Sequence, residues 1–381
     1  MRSRLAPAAI VAALALAAAG CGSSDTSSTS SVTGDQAAAA TGAAPASGSQ
    51  VVEQAKADLA QVTSNPPKID VPPLDKAAPT GKTILWAGCP LPVCVATGKG
   101  VEAAARSLGW KFRQVNLGFT PQTVQSAWNA IVQDPPDAIA AVGILPNSAI
   151  KKQLEALKGV PYVGVTQQDP PDDLMPAATA PPAQMQGDGQ AMADWVLVDS
   201  DGDPGEILYV WDPAVSALVG AHDQFHAQMQ KLCPDCKVTD LKVASADAGS
   251  KIPAAITTQL RRSPDIGYVV FNLGDYAAGV PQAIKGASLS SKPKLVTRAA
   301  TTTNMADIKN GDVAAALTSE VPESGWRAAD LAVRLMNGQK LYADAPSGER
   351  TFLTQDNLPA DITQQYTIPG YEQAFEQAWG K

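Results

Sequence analysis

The chain has 381 residues, long enough for two ordinary domains around a sizeable core. Its 45% hydrophobic and 17% charged residues fit a globular protein. A net charge of −8, with no basic stripe interleaved with aromatics, sets the surface against nucleic acid, whose phosphates it would repel.

The first segment carries the strongest signal. Arg2 and Arg4 precede an apolar, alanine-rich run from Leu5 to Ala19, too short and too early for a convincing membrane span. It ends Ala18-Ala19-Gly20-Cys21, which resembles the lipobox of bacterial lipoproteins, in which the cysteine thiol receives a diacylglyceryl group. The sequence departs from that pattern at Ala18, where leucine is usual. The expectation is a lipoprotein signal peptide over 1–20, lipidation at Cys21, and a mature net charge of −10 after the two arginines leave. No later stretch is long and apolar enough to span a bilayer, so the anchor would be lipid alone, on the outer face of the cell membrane. Five cysteines are an awkward number outside the cytoplasm. Lipidating Cys21 leaves two local pairs, Cys89/Cys94 and Cys233/Cys236, both candidate disulfides in an oxidising compartment.

Residues 22–50 are mostly Ser, Thr, Ala and Gly and read as a flexible tether, part of a 21–81 region that also holds a short helix over Val51–Val62. Prolines 66, 67, 72, 73 and 79 then interrupt regular structure, and the folded body begins near Lys82. Strands are predicted at 83–87, 111–115, 138–144 and 161–165. Helices are predicted at 100–108, 121–132 and 148–157, the second capped by Thr120. The pattern then restarts: helices at 190–198, 219–232, 252–262, 277–285 and 325–336 alternate with strands at 206–211, 238–243, 268–271, 294–297 and 315–319. Alternating strands and helices imply parallel sheets with crossover helices, and two such α/β halves imply two lobes with a cleft between them. Ligands in such sheets sit beyond the carboxyl ends of the strands.

Several segments, in this order and spacing, resemble type I periplasmic solute-binding proteins, the ribose/galactose-binding branch of ABC importers. They are Gly100 with Leu108-Gly109-Trp110, Val160-Pro161-Tyr162-Val163, the FNLGD run from Phe271 to Asp275, Glu320-Val321-Pro322, and Leu353-Thr354 through Asn357. The resemblance covers Lys82 to Pro359. It implies two Rossmann-like lobes joined by a three-segment hinge, with lobe one at 82–183 plus 321–348 and lobe two at 184–320 plus 349–381. It also implies a monomer that closes on a small solute and meets permease subunits, with no cofactor.

Three motifs suggest other chemistry and yield to plainer readings. His222 and His226 share a helix face as zinc-protease ligands do, but Asp223 stands where glutamate would, and the sequence offers no third ligand, so no metal is assigned. Cys233-Pro234-Asp235-Cys236 has redox spacing but follows a helix and precedes a strand, the reverse of a redox motif. Asp199, Asp201, Asp203 and Glu206 lack the Gly and Glu positions of an EF-hand and read as a solvated turn. No Walker loop, GxGxxG or GxSxG elbow is present, so the chain reads as a binding protein rather than an enzyme.

The binding candidates lie at strand ends: Leu91 and Val93, then Thr166, Gln167 and Gln168, Trp211 and Asp212, Asp275 and Tyr276, Arg298, and Glu320 at the hinge. Against the ribose-type pattern, an asparagine and two phenylalanines become Leu91, Val93 and Cys94, and an Asp-Arg pair becomes Thr166-Gln167. The helix arginine becomes Ala221, the turn asparagine Gly274, the hinge glutamine Glu320, and a later aspartate falls near Ala299. The lost groups are mostly those that grip hydroxyls, which points to a modified or partly apolar sugar-like solute. The alternative is a receptor lipoprotein for a non-sugar molecule, signalling through a membrane kinase or chemoreceptor. The fold is also that of sugar-responsive repressors, but export and the missing DNA-binding headpiece exclude that use.

Overall fold

The computed structural model describes residues 48–63, 69–319, 321–342 and 350–381. The expected signal peptide, Cys21 and Glu320 lie outside the described residues, as does part of the tether. A first helix, α1 (Gly48–Thr63), precedes the first sheet. The strands of that sheet are mostly short apolar runs, the pattern of a parallel sheet covered on both faces. They are β1 (Thr83–Gly88), β2 (Lys111–Asn116), β3 (Ala138–Val142), β4 (Tyr162–Val165) and β5 (Ala177–Ala178), in the order β2-β1-β3-β4-β5, all parallel. Between them run α2 (Pro92–Leu108), α3 (Pro121–Gln133) and α4 (Lys151–Ala156). Thr120 caps α3 through the N–H of Thr123, and Gly109 closes α2 in the left-handed conformation that glycine adopts without strain.

Helix α5 (Pro182–Asp199) leads into the second half. There follow β6 (Glu206–Trp211), α6 (Val219–Leu232), β7 (Val238–Lys242), α7 (Ile252–Arg262), β8 (Ile266–Phe271), α8 (Val280–Gly286), β9 (Lys294–Arg298), α9 (Thr302–Lys309) and β10 (Ala315–Leu317). The chain then runs through α10 (Val321–Met336), β11 (Phe352–Leu353) and α11 (Tyr371–Ala378). The second sheet has the order β11-β10-β9-β8-β6-β7 and is parallel except for the β10–β11 pair. These are the two α/β halves expected from the sequence. Among the described residues no helix is long and apolar enough to cross a membrane.

The chain changes halves between β5 and α5 and again between β10 and α10, which packs on α2. It returns through β11 and then crosses once more. Helix α11 packs on α10, where Trp326 and Trp379 stack at 5.4 Å and the indole N–H of Trp379 donates to Asp330 at 2.9 Å. Within 350–381, β11 extends the second sheet while α11 lies against α10. The short helix α1 docks on α5. Gln228 on α6 bridges Asp58 of α1 and Asp194 of α5, at 3.1 and 2.6 Å.

Candidate functional site

The carboxyl ends of both sheets face one another, and the halves touch there. The N–H groups of Ser216 and Ala217, after β6, donate to the carbonyls of Ile144 and Gly143, after β3, each at 2.9 Å. Together the halves enclose a cavity of about 90 Å³.

One wall is built from β1, the turn after it and the start of α2. Trp86 is buried in this wall, and two glycines make room for its indole. A Cβ on Gly88 would lie 2.2 Å from the indole nitrogen, and one on Gly98 would lie 2.7 Å from the ring. The disulfide Cys89–Cys94 pins this turn to the first turn of α2 and itself lines the cavity. Leu91, the residue before α2, and Val93, inside it, add apolar surface. Sequence reading starts this helix at Gly100. It begins eight residues earlier because Pro92 is suited to the first helical position.

The opposite wall is also largely apolar, with Val215, Leu218 and Leu273. Polar groups gather in one corner. Asp188 on α5 accepts from Nη1 of Arg298 at 3.2 Å and from Nε of Arg350 at 2.8 Å. All three are buried, and all three line the cavity. Arg298, the last residue of β9, is oriented further by the carbonyl of Asn272 at 2.8 Å. Tyr276 is fixed through its hydroxyl to Ser245 at 2.6 Å, and both residues line the cavity. Among the described residues the indole nitrogen of Trp86 and the hydroxyl of Ser319 have no hydrogen-bond partner, and both belong to the lining. A solute hydroxyl would satisfy either one.

Backbone strain marks the same place. Thr166 after β4 and Ala299 after β9 have φ of 54° and 58°, a region L-residues rarely occupy, and both line the cavity. Such conformations cluster at ligand sites, where surrounding structure holds them.

Of the residues singled out from the sequence, Leu91, Val93, Thr166, Tyr276 and Arg298 meet on the cavity wall. The others described are engaged around it. Gln167 is buried behind the wall, donating to Tyr162 Oη at 3.1 Å and to the carbonyl of Ala141 at 3.3 Å. Gln168 is half-buried beside Gly220. Trp211 stacks on His222, with ring centroids 3.6 Å apart. Asp212 accepts from the N–H and hydroxyl of Ser245, both at 2.7 Å, and so holds the turn that positions Tyr276. Asp275 faces the N–H of Val93 across the interface, but neither of its oxygens completes a hydrogen bond of ordinary geometry among the described residues. Burial pushes its carboxyl up to about 7, and the nearby backbone N–H groups of Val93 and Asp275 itself offset only part of this.

Asp188, Arg350 and Trp86 are among the lining residues that sequence reading missed. Asp188 stands between Gly187 and Gly189, just ahead of the helix predicted from residue 190. Gly189 is a helix contact: a Cβ there would lie 2.2 Å from the carbonyl of Ala221 on α6. The signal that could have found it is Pro181-Pro182, which places a proline at the first turn of α5. Elsewhere, Cys233–Cys236 forms the second disulfide. Asp199 anchors Tyr268 and Lys294 at 2.5 and 2.8 Å.

Comparison with known proteins agrees with this geometry. The family model for the periplasmic binding protein domain matches residues 91–340. No curated protein matches the chain. An ABC sugar transporter subunit from Rhodobacter sphaeroides 2.4.1 is similar at 18% identity and a TM-score of 0.63, over 72% of this chain and 99% of its own. A 5-methylthioribose transporter solute-binding protein from Thermotoga lettingae TMO, in complex with 5-methylthioribose, is similar at 16% identity and 0.65, over 78% and 92%. An ABC transporter solute-binding protein from Agrobacterium vitis with bound allitol is similar at 16% identity and 0.62, over 78% and 99%.

Proposed function

Because this chain belongs to the periplasmic binding protein domain family, with the two-lobed type I fold of its sugar-binding members, we propose that it captures a small, partly apolar sugar-like solute between its lobes and delivers it to an ABC permease. The observation that carries this reading is the lining of the interlobe cavity. Trp86, Leu91, Val93, Val215, Leu218 and Leu273 present hydrocarbon, while the Asp188–Arg298–Arg350 corner, with Thr166 and Ser245, supplies directed polar contacts. A buried hydroxyl left without a partner costs about 1–3 kcal/mol, so a lining of this kind penalises a fully hydroxylated aldose and favours one bearing an alkyl, deoxy or thioalkyl group. The similar protein from Thermotoga lettingae was solved with 5-methylthioribose, a pentose carrying such a group. Native mass spectrometry of protein purified from its own host tests the reading. A retained solute of pentose or hexose size with fewer free hydroxyls supports it. A retained peptide, lipid or unmodified hexose refutes it.

The same proposal places the protein outside the cell membrane as a monomer tethered through Cys21. Its support is the run of small residues before that cysteine and the stretch rich in serine, threonine and alanine after it. Replacing Cys21 with Ala and fractionating cells decides it: release to the soluble fraction is expected, and undiminished membrane retention overturns the anchor.

A further inference from the structure

We propose that His222, His226 and Asp240 form a binding site for a divalent transition-metal ion on the flank of the second half. The chain contains only two histidines, and helical spacing puts both on one face of α6. The third group comes from the edge strand β7, which lies beside β6. Asp240 pairs in register with Tyr209, so both side chains project from the same face of the sheet, with Trp211 two residues along. The Nε2 atoms of both histidines converge on this carboxylate, His222 at 3.0 Å from Oδ2 and His226 at 2.9 Å from Oδ1. One ligand atom from each of the three residues can be chosen so that all lie within 4.8 Å of one another.

Two further features suit an ion better than a chance cluster of hydrogen bonds. The other nitrogen of His222, Nδ1, meets Asp223 at 2.7 Å. A carboxylate behind a ligating histidine fixes the tautomer that aims a lone pair at the metal. The ring of His222 is also held in place, stacked on Trp211 at 3.6 Å and edge-on to Tyr209 at 5.6 Å. Its orientation is therefore largely set before any ion arrives, which limits the ordering cost of binding. The side chains of His222, His226 and Asp240 retain 14%, 32% and 25% exposure, enough for an ion to enter from solvent. Two imidazoles and one carboxylate suit zinc, with water completing the coordination.

The test uses the mature, tag-free chain with its disulfides intact, titrated with Co²⁺ and then Zn²⁺. The expected result is saturation at one equivalent, with a visible Co²⁺ ligand-field band that Zn²⁺ bleaches. The band should vanish in His226→Gln and in His222→Ala. Asp223→Asn, which touches no metal, should weaken binding roughly tenfold to a hundredfold. His226 is partly exposed, so His226→Gln should keep the native circular dichroism and thermal transition without metal, and loss of the band in that variant supports the site. Absence of saturable binding, or binding unchanged in the His222→Ala/His226→Gln double variant, overturns it.

Discussion

Replacing Asp188 with Asn should destabilise the protein more than almost any other isosteric change in the cleft. Asp188 is 2% exposed and accepts charge-assisted hydrogen bonds from two buried guanidinium groups, on Arg298 at the end of β9 and on Arg350 before β11. The substitution preserves shape but removes the negative charge from both contacts and turns one acceptor oxygen into a donor. Each charge-assisted bond contributes about 1.5–3 kcal/mol, and removing one partner of a buried ion pair typically costs about 3–5 kcal/mol. We expect a loss near 3–5 kcal/mol, a large share of the roughly 5–15 kcal/mol that holds a typical domain together. Urea unfolding followed by tryptophan fluorescence measures it. A double-mutant cycle with Arg298→Met isolates the Asp188–Arg298 coupling, expected at about 1 kcal/mol or more. A stability within about 0.5 kcal/mol of wild type would show that this corner does not hold α5 to the second sheet beside the cleft.

Asp275 and Asp194 both have carboxyls raised to about 7, chiefly by burial, so the folded protein holds their protons in a range where the unfolded chain has released them. Their contribution is complete below about pH 4 and is lost as pH rises towards 7, by about 1–3 kcal/mol per site. Chemical unfolding across pH 4–8 should show the decline, and Asp275→Asn should make it shallower, leaving the part due to Asp194. A variant with the wild-type slope would contradict the burial argument. Cys89→Ser/Cys94→Ser should cost about 2 kcal/mol from the small loop released and should weaken solute binding, because this bridge both pins the start of α2 and lines the cavity. Calorimetry showing unaltered affinity in the folded double variant would remove the disulfide from the site.

Much of the fold is legible in the sequence because its signals are local. Buried parallel strands are continuous apolar runs, and α6 and α7 have the same bounds in the sequence reading as in the structure. The errors are local too. Glycines at 187 and 189 lie ahead of the predicted helix, yet Gly189 permits the close approach of α5 to α6. The short strand β5 and helices α9 and α11 are not read at all. β5 is only two residues, Ala177–Ala178, and α11 owes its place to a tryptophan stack formed across 53 residues of chain. The candidate site is half legible. Strand-end residues can be found by counting along strands, which yields Leu91, Thr166, Tyr276 and Arg298. The charged corner joins Asp188 to Arg350 across 162 residues, and Asp240 meets the two histidines only because β7 pairs beside β6. Neither juxtaposition has a spacing that a sequence alone displays.

Capture of a partly apolar sugar-like solute between the lobes sets a preference among related sugars. Its most direct test is calorimetry of ligand-stripped protein with matched pairs of an aldose and its deoxy or thioalkyl derivative, repeated on Leu91→Asp, which puts a charge on the cavity wall. The derivative should bind at micromolar or tighter affinity and at least about tenfold more tightly than its parent, a difference near 1.4 kcal/mol, and Leu91→Asp should abolish that preference. Tighter binding of the parent aldose, or a preference that survives Leu91→Asp, would rule out capture of this kind at this cavity.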